Sequence, residues 1–213
     1  CRMETVYRAL RIDEQMYGCE ELPAGQPVLC DVMLADAAGN TRILPYPDKE
    51  LTRLGIDEGD TVLVPDPCYP LFRASALIAG AELAFYPLNA ENNFLPNVAE
   101  IPDEVADRAK YMIVSLPANP VGSVGTPEVY AQIIEFAKAH DVLIVHDNAY
   151  SDIIYDGLEG HSFFENPGAS EVGVEFFSLS KSFDVTGARI SFLVGRPDVV
   201  AAVRKIRSQS DYG

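Results

Sequence analysis

The chain has 213 residues, 48% of them hydrophobic, and a formal net charge of −16. This length and composition suffice for one large core or two small ones. The acidic charge argues against a nucleic-acid partner, because phosphate binding depends on lysine and arginine, and no apolar run is long enough to span a membrane.

The first residues lack the apolar block of a signal peptide. The four cysteines include no C-x-x-C pair and fit a reduced, cytoplasmic protein. Residues 1–58 are interrupted by many glycines and prolines, and the run from Val28 to Leu34 is compatible with a strand or a short helix. The sequence therefore predicts an N-terminal segment of unassigned role over residues 1–58 and a larger domain over residues 59–213.

From about residue 60 onward, short apolar runs alternate with helical patterns. The predicted strands are Thr61–Val64, Glu82–Tyr86, Tyr111–Ser115, Val142–Val145, Val174–Phe177 and Ile190–Val194. The predicted helices are Tyr69–Ala79, Pro127–Ala139 with Thr126 as its N-cap, and Pro197–Ser208. This alternation indicates an α/β fold with a mostly parallel sheet. Ligands of such sheets bind at the carboxyl ends of the strands.

The motif with the clearest chemistry surrounds Lys181. Ser178 and Ser180 precede this lysine, and Arg189 follows eight residues later. An ammonium buried in such a place is expected to have a lowered pKa and to form Schiff bases with carbonyl compounds such as pyridoxal phosphate (PLP). The serine hydroxyls and the guanidinium are suitable ligands for a phosphate dianion. Taken alone, an S-x-S-K pattern more often belongs to a surface lysine in a polar loop.

Further polar residues follow the strands upstream. Asn119 lies in an N-P-x-G turn, where its amide can donate to a phenolate-type oxygen. Asp147 ends the most apolar run, where a carboxylate needs a cation such as a protonated pyridine nitrogen. Tyr150 can hydrogen-bond a hydroxyl of the same pyridine ring, beside Asn119. Tyr69, between prolines, offers a flat platform for an aromatic ring. Each also has a structural interpretation as part of a turn, a helix N-cap or a proline-rich loop. His146 beside Asp147 lacks further ligands at suitable spacing, so no metal site is predicted.

Together, the motifs resemble those of the fold type I PLP-dependent aminotransferases of class I/II. D-P-x-Y-P, N-P-V-G, D-x-A-Y and S-x-S-K-S-F-x-x-T-G-x-R occur in that order, and the resemblance covers residues 59–213. It is nearest to the aspartate and LL-diaminopimelate aminotransferase branch. The resemblance implies the large-domain fold of that family, a mostly parallel sheet flanked by helices, and a homodimer.

The same resemblance implies a role for each site residue. Lys181 would form the Schiff base with PLP and move a proton, Asp147 would pair with the pyridinium nitrogen, and Asn119 and Tyr150 would hold the ring oxygen. Lys181, Asp147 and Tyr150 are thus the implied catalytic residues. The other implied cofactor ligands are Tyr69 on the ring face and, for the phosphate, Ser178, Ser180 and Arg189. The implied reaction transfers an amino group between an amino acid and a 2-oxo acid.

Two features of the family are not recognisable. The stretch from Ile43 to Gly55 contains no phosphate loop of the G-S-x-x-G kind. The chain ends at Gly213, before the C-terminal small domain that supplies the carboxylate-binding arginine, so it is expected to be partial and at best weakly active. A PLP-dependent lyase or decarboxylase, or a non-catalytic protein that retains the fold, stays an alternative. A nicotinamide oxidoreductase is not expected, because no G-x-G-x-x-G follows a predicted strand.

Overall fold

The computed structural model describes residues 7–14, 27–36, 38–47, 49–50 and 61–210. By its contacts, the chain divides into two compact units, Cys1–Gly59 and Asp60–Gly213. The described residues of the first unit form an antiparallel sheet in the order β1-β2-β3. These strands are β1 (Tyr7–Glu14), β2 (Leu29–Asp36) and β3 (Thr41–Pro47).

The run that begins at Val28, which the sequence left open between a strand and a short helix, forms strand β2. Its buried residues Cys30 and Val32 form a small core with apolar neighbours such as Tyr46. The first part of the stretch without a phosphate loop, from Ile43, belongs to β3, while residues 51–60 lie outside the described residues.

The second unit contains a six-stranded sheet in its described residues, in the order β5-β4-β6-β7-β8-β9. Its strands are β4 (Thr61–Asp66), β5 (Glu82–Pro87), β6 (Ala109–Ser115), β7 (Leu143–Asn148), β8 (Gly173–Ser178) and β9 (Ser191–Gly195). The neighbours from β5 to β8 are parallel, and β9 is antiparallel to β8. The prediction of an α/β fold with a mostly parallel sheet is confirmed.

Helices connect these strands. Between residues 61 and 210 they are α1 (Pro70–Ile78), α2 (Asp103–Ala106), α3 (Pro127–His140), α4 (Ala169–Val172), α5 (Leu179–Ser182) and α6 (Pro197–Ser210). The three longest nearly coincide with the predicted helices. Helix α3 has its predicted N-cap, because the Thr126 side chain accepts a hydrogen bond from the backbone of Val129. None of these helices combines the length and hydropathy that crossing a membrane requires.

Apolar residues cover both faces of the sheet, which explains the nearly continuous hydrophobic runs. On one face, Leu63 and Met112 pack in the larger core with Ile133 of α3. On the other face, Val64 packs with Ala76 of α1. Because successive side chains of a strand point to opposite faces, β4 and β6 contribute to both layers.

Candidate cofactor site

A cavity of about 800 Å³ lies at the carboxyl ends of the parallel strands. It opens on the sheet face that carries Ile113 and Val145, between residues of α1 and α6. Strand β9 begins at the same edge because it is antiparallel to β8, and Ser191 lies opposite Ser178. The cavity brings together every site residue proposed from the sequence: Tyr69, Asn119, Asp147, Tyr150, Ser178, Ser180, Lys181 and Arg189.

Asn119 and Tyr150 are adjacent in the cavity wall. They follow the neighbouring parallel strands β6 and β7, and the Nδ2 atom of Asn119 donates to the Tyr150 hydroxyl at 3.3 Å. Both side chains are half-buried. The Nζ atom of Lys181 lies 6.0 Å from the centroid of the Tyr150 ring. An amide, a phenol and an amine therefore share one wall.

Asp147 lies on the cavity face of β7, between two side chains that point to the opposite face. Burial raises the pKa of its carboxyl, and the charge of His146 counteracts part of that rise. Within the described part of the chain, no residue donates a hydrogen bond to this carboxylate. Its register partner Ser115 is likewise buried with a hydroxyl that has no hydrogen-bond partner among the described residues. The described residues thus give the Asp147 carboxylate neither a hydrogen bond nor an ion pair.

Lys181 stands on the one-turn helix α5, directly after β8. Ser178 caps that helix, since its hydroxyl accepts a hydrogen bond from the backbone nitrogen of Ser180 at 3.2 Å. The expectation that Lys181 is buried is wrong, because its side chain is exposed. The described residues around it form an open wall that leaves the ammonium in contact with water.

Arg189 and Tyr69 also line the cavity. Arg189 lies just before β9, and Tyr69 lies just before α1. The Arg189 backbone is left-handed, with φ of 52°, and its Nη1 atom donates to the carbonyl of Thr186 at 3.0 Å. Its exposed guanidinium keeps further donors for a ligand. The Tyr69 ring, 44% exposed, contacts Phe72 edge-to-face with centroids 5.8 Å apart. The interpretation of the sequence overlooked Thr186 and Ser191, which also line the cavity, although Thr186 lies within the T-G-x-R part of the lysine motif.

Comparison with known proteins identifies the family. The profile described as aminotransferase class I and II matches residues 48–210. The chain belongs to this family. PLP is the cofactor of class I and II aminotransferases.

Curated relatives match over part of their length. An LL-diaminopimelate aminotransferase of Moorella thermoacetica is 46% identical over 158 residues, which cover 74% of this chain and 40% of the relative. LL-diaminopimelate aminotransferase 2 of Trichormus variabilis is 37% identical over 205 residues, which cover 96% of this chain and 50% of the relative. The chain thus spans half or less of the length of these proteins.

Solved structures agree on the fold. Substrate-bound BacF of Bacillus subtilis has a TM-score of 0.69 and 37% identity, over 72% of this chain and 39% of that one. A probable N-succinyldiaminopimelate aminotransferase of Thermus thermophilus has a TM-score of 0.68 and 31% identity, over 72% and 41%. The predicted fold type I large-domain architecture is confirmed.

The residues of the cavity fit PLP in their chemistry. Lys181 offers a primary amine, and Arg189 with the serine hydroxyls offers donors for a phosphate. Asp147 gives the strongest indication, because its half-buried carboxylate receives no hydrogen bond from the described residues. A protonated pyridine nitrogen is the kind of partner that would relieve this burial.

Proposed function

We propose that this chain forms the cofactor-binding part of a PLP-dependent aminotransferase that moves an amino group between an amino acid and a 2-oxo acid. The observation that carries the proposal is the convergence, in one cavity of a class I and II aminotransferase-family chain, of an amine, donors suited to a phosphate, and a carboxylate without a hydrogen bond from the described residues. The names of the relatives support diaminopimelate-type amino acids as the first donors to test.

We assign the roles of the side chains from their chemistry. PLP, when bound, supplies the electron sink for reactions at the substrate Cα. The Asp147 carboxylate would hold the proton on the ring nitrogen, and Asn119 and Tyr150 would hydrogen-bond the ring oxygen. Lys181 Nζ would hold the cofactor and, once released, move the proton at the substrate Cα. Tyr69 would stack on the ring, and the phosphate would be bound by Ser178, Ser180 and Arg189.

Three broader assignments belong to the same proposal. We assign residues 59–213 to the PLP-binding large domain, supported by a cavity whose lining, among the described residues, runs from Tyr69 to Val203. A homodimer is supported by apolar side chains exposed on α1, among them Leu77 and Ile78. A cytoplasmic location is supported by the free thiol of Cys68.

The test is borohydride reduction of the protein incubated with PLP, followed by peptide mass mapping. We expect a phosphopyridoxyl group on Lys181, which is lost in Lys181→Ala and kept in Lys205→Ala. Lys205 is a suitable control because it is exposed on α6, outside the cavity lining. Labelling that is equal at many lysines, or that persists elsewhere at the same level in Lys181→Ala, would contradict the assignment.

A second assay separates transamination from the other PLP reactions. Amino donors are screened for products in the presence of a 2-oxo acid acceptor. Formation of a new amino acid from the acceptor supports the proposal. Release of ammonia or carbon dioxide without that amino acid would indicate a lyase or a decarboxylase instead.

A further inference from the structure

A buried polar cluster lies behind Asp147, on the sheet face opposite the cavity. We call it the Glu175 cluster, and it consists of Glu175, His146, Asn148, Ser162 and Tyr130. Its central side chains are removed from solvent: His146 and Glu175 are both 0% exposed, and Asn148 is 3% exposed. Buried polar groups of this kind are costly unless they are hydrogen-bonded to one another.

The Glu175 carboxylate accepts hydrogen bonds from four donors. They are Asn148 Nδ2 at 2.8 Å, His146 Nδ1 at 3.0 Å, the backbone nitrogen of Phe163 at 3.1 Å and the Ser162 hydroxyl at 2.5 Å. Burial raises the pKa of Glu175, but the hydrogen bond and charge of His146 and the other donors outweigh it, so that the pKa lies below its ordinary value. Glu175 is therefore ionised at neutral pH.

His146 extends the cluster to helix α3. Its Nε2 atom lies 3.3 Å from the Tyr130 hydroxyl. Burial raises the pKa of Tyr130, so its hydroxyl stays protonated at neutral pH. The ionisable groups around His146 are Glu175 of β8, Tyr130 of α3, Asp147 on its own strand and Glu165, whose charge acts on Tyr130.

The cluster links the two strands that carry the cofactor residues. His146 and Asn148 flank Asp147 on β7, and both donate to Glu175 on β8. His146 and Glu175 are register partners, and β8 ends at Ser178, immediately before the helix of Lys181. A single carboxylate therefore fixes both neighbours of Asp147 to the strand that leads to Lys181.

We propose that Glu175 is a positioning residue for the cofactor site, which keeps Asp147 and Lys181 in one fixed arrangement through its hydrogen bonds to His146 and Asn148. This inference rests on the proposed PLP-binding function. The cluster has two effects on Asp147. It holds the strand from the rear face, whereas the Asp147 carboxylate on the cavity face receives no hydrogen bond from the described residues. It also holds His146, whose charge favours the ionised carboxylate. Small displacements of such groups are costly because binding and catalysis depend on their geometry.

The experiment compares Glu175→Gln with the matched control Asp107→Asn. Asp107 also accepts from a histidine, His140 Nδ1 at 2.7 Å, but it lies outside the cavity lining. PLP dissociation constants are measured by fluorescence titration where circular dichroism shows each variant to be folded. We expect Glu175→Gln to weaken PLP binding about tenfold and Asp107→Asn to leave it within about twofold. The pH at which the absorbance of bound PLP changes should shift only in Glu175→Gln.

A double-mutant cycle with Asp147→Asn separates positioning from a general loss of stability. If Glu175 acts through Asp147, Glu175→Gln causes little further loss of PLP affinity once Asp147 is asparagine. A full tenfold loss in that background, or unchanged affinity of Glu175→Gln, would overturn the inference. If Glu175→Gln does not fold, Asn148→Ala replaces it, with an expected loss of about threefold and the same cycle. Absence of PLP binding by the wild-type chain would instead refute the proposed function.

Discussion

Replacement of Asp147 by asparagine should stabilise the protein without cofactor and weaken its binding of PLP. The carboxylate is half-buried on the cavity face and receives no hydrogen bond from the described residues. Asparagine has nearly the same shape but no charge. The substitution therefore removes a desolvated charge from the cofactor-free protein and removes the partner of the pyridinium nitrogen from the proposed complex.

The size and the pH dependence of the stabilisation follow from this environment. Asparagine is polar as well, so the substitution removes only the additional cost of burying a charge. For this half-buried side chain we expect that difference to be about 1 kcal/mol in the free energy of unfolding. Because burial raises the pKa of Asp147 in the folded state, the penalty is present above that pKa. It is absent below the unfolded value of about 3.9. The advantage of Asp147→Asn should thus appear at neutral pH and vanish in acid.

Two measurements on the same samples test this prediction. Urea denaturation without PLP, at neutral pH and near pH 3.5, should show the stabilisation at the higher pH alone. Fluorescence titration should show PLP affinity about tenfold lower, the equivalent of 1.4 kcal/mol. A less stable cofactor-free variant, or a variant that binds PLP as tightly as the wild type, would refute the reasoning about Asp147.

Two further substitutions test the scaffold around the cavity. Tyr86→Phe should lower the free energy of unfolding by about 1–2 kcal/mol, because the buried Tyr86 hydroxyl donates to the carbonyl of Ile113 at 2.6 Å. Urea denaturation measures this, and an unchanged midpoint would show that water replaces the bond. Thr126→Ala should lower the free energy of unfolding by about 1 kcal/mol, because it removes the N-cap of α3. Thr126→Ser should retain most of that stability, because serine keeps the hydroxyl. Thermal unfolding compares the two, and equal losses would contradict a capping role of the hydroxyl.

Local patterns predicted much of the second unit correctly. The six strands and three long helices appear near their expected bounds because continuous apolar runs, proline at helix starts and the Thr126 cap are local signals. The order of motifs along the chain also led to one set of eight residues, all of which line the cavity. Their roles toward PLP stay predictions.

The sequence did not predict the exposure of Lys181 or the proposed role of Glu175, because both depend on neighbouring segments of the fold. Lys181 was expected to be buried because serines and an apolar run surround it, yet it stands on a one-turn helix with its side chain in water. Glu175 was assigned no role, since a carboxylate within an apolar strand cannot be interpreted without its donors. Those donors come from β7 and from the turn at Ser162, which are distant in sequence.

By itself, the sequence determined the α/β alternation and the types of residue that can bind a phosphate, a ring nitrogen and a carbonyl carbon, because these depend on local periodicity and on side-chain chemistry. Only the tertiary structure decided that β9 is antiparallel, so that Arg189 reaches the edge occupied by Ser178. It also decided that Asp147 faces the cavity while His146 and Asn148 face Glu175. Strand register and helix packing set these outcomes, and both depend on contacts between segments far apart in the chain.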